Sequence, residues 1–340
     1  MPASVYVPTL EQPKTTPALI DSFARQLTYL RLSITDFCNF RCEYCLPDGY
    51  QGKRSTDELS VAEIEVLVQA FARLGTKKVR ITGGEPSIRR DVCEIVERVA
   101  GTRGIETVAM TSNGYKLGKH VRGWQAAGLN QLNISMDSFD AKVFASMTGM
   151  DTLPQLLRDM DMLLDSTDIK LKINSVLMSE TVEQNLMDAL DYVKTRPVSY
   201  RFIEFMQTSD NSELFFAQHA QSTQVTAYLQ QLGWQALPRA TASGPAVEYT
   251  HPDYLGRIGV IAPYAAHFCD NCNRLRVSCH GKVHLCLFDQ GSFDIRDYLH
   301  NQDVSGLIAE LQRLMPIKPA HHHLHEHNSG IMDNLSLIGG

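Results

Sequence analysis

No apolar run in the 340-residue chain approaches the ~20 residues that a membrane span needs, so the sequence predicts no transmembrane segment and no membrane partner. The opening stretch, MPASVYVPTLEQPKTTPALI, carries Lys14 as its only basic side chain and no apolar block. That excludes a secretory signal and predicts a proline-rich, poorly ordered lead-in over residues 1–20. Basic excess is also missing. Lys and Arg number 32 against 38 Asp and Glu, a formal net charge of -6, which argues against a general nucleic-acid binder but leaves room for a local basic pocket. No internal repeat is visible. What remains is the composition of an ordinary globular protein, long enough for one large or two moderate domains. Cysteine is not scarce. Of the eight, Cys38, Cys42 and Cys45 form one tight group, and Cys269, Cys272 and Cys286 fall in another. Such grouping in a chain with no export signal reads as metal or cofactor ligation in the reducing cytoplasm, not as disulfides.

The first group ends a strand. Leu30, Leu32 and Ile34 alternate with Arg31, Ser33 and Thr35, the period of a pleated element, and the alternation stops at Thr35-Asp36. The thiols follow as C-x3-C-x2-C. A structural zinc site closes its shell with four ligands, whereas three thiolates on a four-iron cubane leave one iron open to another ligand. Downstream, Ser60-Val61-Ala62-Glu63 is a capping box opening a helix that Gly75 ends. Strands are predicted at 78–82, 107–111, 131–136, 170–177 and 200–205, and helices at 119–127, 153–165 and 182–194, with another through Val92, Ile95, Val96 and Val99. Strand–helix alternation on this scale implies parallel βα units. Six strands before Met206 are too few for a closed eight-unit barrel. The fold class is therefore α/β, a partial (β/α)6 TIM-like barrel over 21–206, with its site at the C-terminal strand ends. From Gln207 the rhythm changes. A polar stretch leads to a helix at 225–232, β-like segments at 247–250, 257–261, 274–278 and 283–288, and helices near 295–299 and 304–314. This reads as a smaller α+β domain over 207–320, followed by a tail over 321–340 ending in Gly339-Gly340.

Gly83-Gly84-Glu85-Pro86 directly follows the second strand. Its glycines allow backbone to approach a ligand and its carboxylate could grip an ammonium group, although alone the motif is often a plain turn. In the second thiol group, C-x2-C-x13-C, Cys279, His280 or His284 could complete a zinc shell, and spacing does not separate zinc from iron–sulfur. Arg274 and Arg276 share one face of the intervening strand, either as a solvated face or as a phosphate grip. Arg31, Arg80, Lys172 and Arg201 also sit on strands, and a barrel interior holds so many cations only when something anionic pairs with them. Cys93 reads as a core thiol, and His321 to His327 as a surface segment that tolerates histidine. The terminal glycines are a frayed end or a thin tail that threads a crowded site.

Cys38, Cys42 and Cys45 with Tyr44 between them resemble the cluster motif of radical S-adenosylmethionine enzymes, and the GGEP element is similar to theirs. The C-x2-C-x13-C group, the NRLR within it and the Gly-Gly end resemble one branch, the GTP 3′,8-cyclases of molybdenum cofactor biosynthesis. The resemblance spans about Asp21 to Gly340. It implies a lyase with two [4Fe–4S] clusters and S-adenosylmethionine as cofactors. Cys38, Cys42 and Cys45 would hold the first cluster; Cys269, Cys272 and Cys286 the second, in the C-terminal domain, with Cys279 a bystander. Tyr44, Gly84, Ser135 and Met206 would line the S-adenosylmethionine site. Arg31, Arg80, Thr111, Lys172, Arg274 and Arg276 would hold GTP, helped by Lys78 and Arg201, with Gly339 and Gly340 reaching the active site. A reductant such as flavodoxin or ferredoxin and a downstream pyranopterin-forming enzyme are implied partners, and a homodimer is allowed. Phe37 departs from the arginine usual before the first cysteine. The rival readings are a radical enzyme acting on a peptide and a zinc-stabilised nucleic-acid module.

Overall fold

The computed structural model describes residues 18–51, 55–238, 243–288, 291–330 and 338. Gly339, Gly340 and most of the lead-in lie outside them. Strands β1 (Tyr29–Ser33), β2 (Lys78–Thr82), β3 (Thr107–Ser112), β4 (Gln131–Ser135), β5 (Lys170–Leu177) and β6 (Ser199–Glu204) alternate with helices α1 (Val61–Arg73), α2 (Val92–Gly101), α3 (Leu117–Ala126), α4 (Ala141–Thr148), α5 (Leu153–Ser166) and α6 (Val182–Lys194). Then come α7 (Ser212–Gln218), α8 (Ser222–Gln231), β7 (Gln235–Ala236), β8 (Val247–Thr250), β9 (Arg257–Ile261), β10 (Arg274–Val277), β11 (Lys282–His284), β12 (Phe293–Asp294), α9 (Arg296–His300) and α10 (Val304–Leu314). No helix among the described residues is long and apolar enough to cross a membrane.

The strands form one sheet in the order β12-β11-β10-β1-β2-β3-β4-β5-β6-β9-β8-β7. The six predicted strands are its centre. The C-terminal segment adds β10 beside β1 and β9 beside β6, both parallel, so eight neighbouring strands run the same way. Antiparallel β11, β12, β8 and β7 extend the two edges. Contacts between sequence-distant strands decide this arrangement, and periodicity does not carry them.

Local chemistry fixes the helix ends. Ser60 caps α1 with both halves of the predicted capping box in place. Two helices escaped the periodicity argument. In α4, Asp140 accepts from Lys142 and Val143 N–H groups and Gly149 closes the end at φ 72°. A capping search for Asp followed by Gly finds it. Helix α7, only seven residues long, lies inside the stretch read as polar. One face of the sheet is apolar: Leu30, Leu32, Val79, Ile81, Leu132, Ile134, Ile173 and Phe202 are fully buried in one cluster with Ile64, Leu67 and Phe71 of α1. The alternate residues on the same strands are polar and set up the site.

Candidate functional site

A (β/α) barrel normally fills its interior with branched apolar residues. Here the inward positions carry cations. Arg276, Arg31 and Arg80 stand in register across β10, β1 and β2, and Arg274, Tyr29 and Lys78 form the adjacent layer. Further round, Asn133 is in register with Lys172, and Asn174 with Arg201. All these cations line a cavity of about 820 Å³.

Tyr29 and Glu248 are acidic groups that face several of them. Arg80 donates to the Tyr29 hydroxyl, and Arg31 bonds the same phenol. Burial opposes ionisation of Tyr29, but Arg80, Arg31 and Lys78 outweigh it and bring the phenol down to about 6. Arg201 pairs with Glu248, which also accepts from Ser199 at 2.7 Å. Gly259 makes room for this pair, since a Cβ there would sit 2.8 Å from Arg201 Cγ. Lys78 Nζ donates to Gln131 at 2.8 Å, and burial, with Arg80 and Arg201 nearby, lowers its pKa to about 8. Burial, with Arg201 and Lys78, lowers Lys172 to about 7. Burial and the neighbouring arginines hold Arg276 well below its ordinary value. Its Nη1 donates to the Ile338 carbonyl at 3.2 Å, so the chain next to the two final glycines lies on the cation layer.

A second cavity, about 160 Å³, adjoins the first; Asn174, Ile203 and Met206 lie in both walls. Cys38, Cys42, Cys45, Tyr44, Gly84, Ser135 and Met206 all line it, so every residue placed by resemblance at the first cluster and S-adenosylmethionine is brought together here. Thr111 lines the small cavity too and accepts from Arg80 at 3.0 Å, at the junction of the two spaces. The Tyr44 hydroxyl donates to Asp137 at 2.8 Å. Burial pushes the Asp137 carboxyl up to about 6, and it pushes up the Cys38 thiol to about 11 and the Cys42 thiol further.

The GGEP turn is held from within. Glu85 is fully buried and accepts from Ser87 N–H, Ser112 Oγ and Asn113 N–H at 2.9, 2.9 and 2.6 Å. Its carboxylate holds the turn against β3, and Glu85 is not among the residues that line either cavity. The backbone of Gly83 and Gly84 supplies the cavity wall, and a Cβ on Gly84 would lie 2.3 Å from the Phe37 carbonyl oxygen. Phe37 packs edge-on against Tyr50 at 5.1 Å.

Cys269, Cys272 and Cys286 line the large cavity beside Arg274 and Arg276. Burial opposes ionisation of Cys272, but Arg274 and Lys318 outweigh it and lower the thiol to about 6. Among the described residues, only Asp36, Cys279 and His280 bring three metal-binding atoms within 4.8 Å of one another. Neither cysteine triplet converges that tightly. A tetrahedral zinc needs sulfurs roughly 3.8 Å apart for bonds of about 2.3 Å. Cys279, a bystander on the resemblance, is absent from the large cavity's wall, as are His280 and His284.

Two sequence readings need correction. Cys93 is exposed on α2, because its position falls on the helix's outer face beside the Val92–Val96–Val99 stripe. His322 is not a tolerated surface histidine. It is buried in the wall of the large cavity, with Nε2 3.0 Å from the Pro263 carbonyl and Nδ1 accepting from Leu324 N–H. Sequence reasoning also passed over Tyr29, Asn133, Asn174 and Glu248. All four share the inward strand phase of the predicted cations, a signal available from alternation alone.

Residues 32–193 match the Radical SAM superfamily and residues 198–324 match Molybdenum Cofactor Synthesis C. The GTP 3′,8-cyclase of Actinobacillus pleuropneumoniae serotype 3 is 47% identical over 324 residues, covering 95% of each chain. That of Cronobacter sakazakii is 46% identical over 325 residues, covering 95% of this chain and 99% of the relative. In fold, the chain is similar to Streptococcus suis SuiB bound to S-adenosylmethionine, with TM-score 0.56 and 13% identity over 84% of this chain and 68% of that one. By sequence and architecture together, the chain belongs to the GTP 3′,8-cyclase family of the radical SAM superfamily.

Proposed function

We propose that the protein is a GTP 3′,8-cyclase, a lyase that converts GTP to (8S)-3′,8-cyclo-7,8-dihydroguanosine 5′-triphosphate in the first step of molybdenum cofactor biosynthesis. The observation that carries this reading is the cation-walled cavity of about 820 Å³, adjoining the Cys38–Cys42–Cys45 pocket on one side and bounded on another by Cys269, Cys272 and Cys286. A triphosphate matches in charge and fork geometry a wall built from Arg31, Lys78, Arg80, Lys172, Arg274 and Arg276.

Cys38, Cys42 and Cys45 would hold a first [4Fe–4S] cluster with S-adenosylmethionine, and Cys269, Cys272 and Cys286 a second. When bound, the first cluster and S-adenosylmethionine supply an organic radical able to take hydrogen from the ribose C3′. The chain's own residues do the rest. Tyr44, Gly84, Ser135 and Met206 shape the narrow pocket and keep water out of it. Arg and Lys forks fix the triphosphate, and the base lies toward the second triplet. Holding ribose and radical source in adjoining cavities turns a bimolecular encounter into a positioned one. Ile338, whose carbonyl accepts from Arg276, brings the described end of the chain to this wall. The domain division at about residue 206, a flavodoxin- or ferredoxin-like electron donor, a downstream pyranopterin-forming enzyme, a homodimer and a cytoplasmic location belong to the same proposal.

Anaerobically reconstituted protein should release 5′-deoxyadenosine only when GTP is added. Equal release with and without GTP, or turnover only with a peptide, overturns the assignment.

A further inference from the structure

Asp36, Cys279 and His280 serve neither cavity, yet their ligand atoms converge within 4.8 Å. Asp36 lies in the loop that leaves β1, two residues before Cys38. Cys279 and His280 form the turn between β10 and β11. Cys279 is 1% and Asp36 9% exposed. The Nε2 of His280 lies 3.5 Å from Asp36 Oδ2, while the Tyr50 hydroxyl donates to the other carboxylate oxygen at 3.2 Å. On the far side of the ring, His280 Nδ1 is 3.2 Å from the Asp57 carbonyl. In the tautomer that donates from Nδ1 to this carbonyl, Nε2 keeps its lone pair within 4.8 Å of the carboxylate and thiol. Metal-binding histidines are oriented by this kind of outer hydrogen bond to a carbonyl. Arg296 donates to the same Asp57 carbonyl at 2.9 Å and so steadies it.

The donor set is one thiol, one imidazole nitrogen and one carboxylate oxygen, a combination that suits zinc. We propose that Asp36, Cys279 and His280 form a zinc site with water as the fourth ligand, tying the loop that carries the first thiol triplet to the hairpin turn after β10. The site is separate from both thiol triplets, whose atoms are too widely spaced for one ion, and it does not rest on the proposed reaction.

Reconstituted holoenzyme, equilibrated with zinc salt and desalted, should retain about one zinc per chain beside its iron, with one Zn–S distance of about 2.3 Å in the zinc-edge absorption spectrum. Cys279→Ser and His280→Ala should each lose that zinc while keeping wild-type iron, sulfide and near-ultraviolet circular dichroism. Zinc retained by both folded variants overturns the site, as does wild-type protein that holds none. A spectrum with three or more sulfur neighbours also overturns it, because the zinc would then sit in a cysteine triplet. Should the serine variant misfold, the half-buried His280→Ala decides alone.

Discussion

Lys172 and Tyr29 carry opposite lessons about buried charge. Folding takes the Lys172 amine from 10.5 to about 7. Between those values the unfolded chain holds a proton that the folded chain lacks, so this group's penalty is full below about 7 and is relieved as the pH rises toward 10.5. A bound triphosphate reverses the preference by favouring the charged amine. GTP affinity should therefore fall as the pH rises above about 7, with proton uptake on binding. Isothermal titration in buffers of different ionisation enthalpy checks this, and Lys172→Arg, which stays charged, should flatten the profile. Tyr29 meets three cations at once. Tyr29→Phe should lower the stability of the GTP-free protein by about 1–3 kcal/mol, the cost of leaving buried charged donors unpaired. Added GTP should restore most of the loss in a thermal melt. Arg274→Ala should weaken GTP binding by roughly 1.5–3 kcal/mol while leaving the first cluster's absorbance unchanged. Residue types were legible at this scale, and burial was not. Glu85 read as a ligand grip from type alone, and its burial with three hydrogen bonds from its own turn and the end of β3 was not visible in the sequence.

Among elements, the turn after β2 bears the tightest constraint. Gly84→Ala would drive a methyl to 2.3 Å from the Phe37 carbonyl, and backbone cannot give way cheaply there. The expected outcome is loss of the first cluster's iron with the second triplet's iron retained, read by iron and sulfide analysis. Alternation and capping made β1 to β6 and most helices legible, since both are local. Helix α4 lay hidden because its signal is a pair of caps around Phe144 and Met147, not a long stripe. The positions of β9 and β10 were unreadable for a different reason. Their own sequences read as strands, but which edge each joins depends on pairing across hundreds of residues, and a period of two contains no address.

At the scale of the whole molecule, neither triplet stands alone. Arg25 is bound to Asp21 and also donates to the carbonyls of Cys269, Pro319 and Ala320, so the start of the described chain holds the second triplet's loop. Arg25→Met should cost the second cluster its iron before the first. Exposure of β1 and β6 as bare edges should make a fragment ending at residue 206 aggregate on size-exclusion chromatography.

The pairing of β1 with β10 also sets a timetable. About 245 residues separate Tyr29 from its partner Arg274. A ribosome adding 5–20 residues per second leaves that edge waiting roughly 12–50 s. Throughout that interval the thiols of Cys38, Cys42 and Cys45 hang from an unfinished sheet. The large cavity, walled by Arg274 and Arg276 of β10, thus comes into being only when synthesis is nearly over.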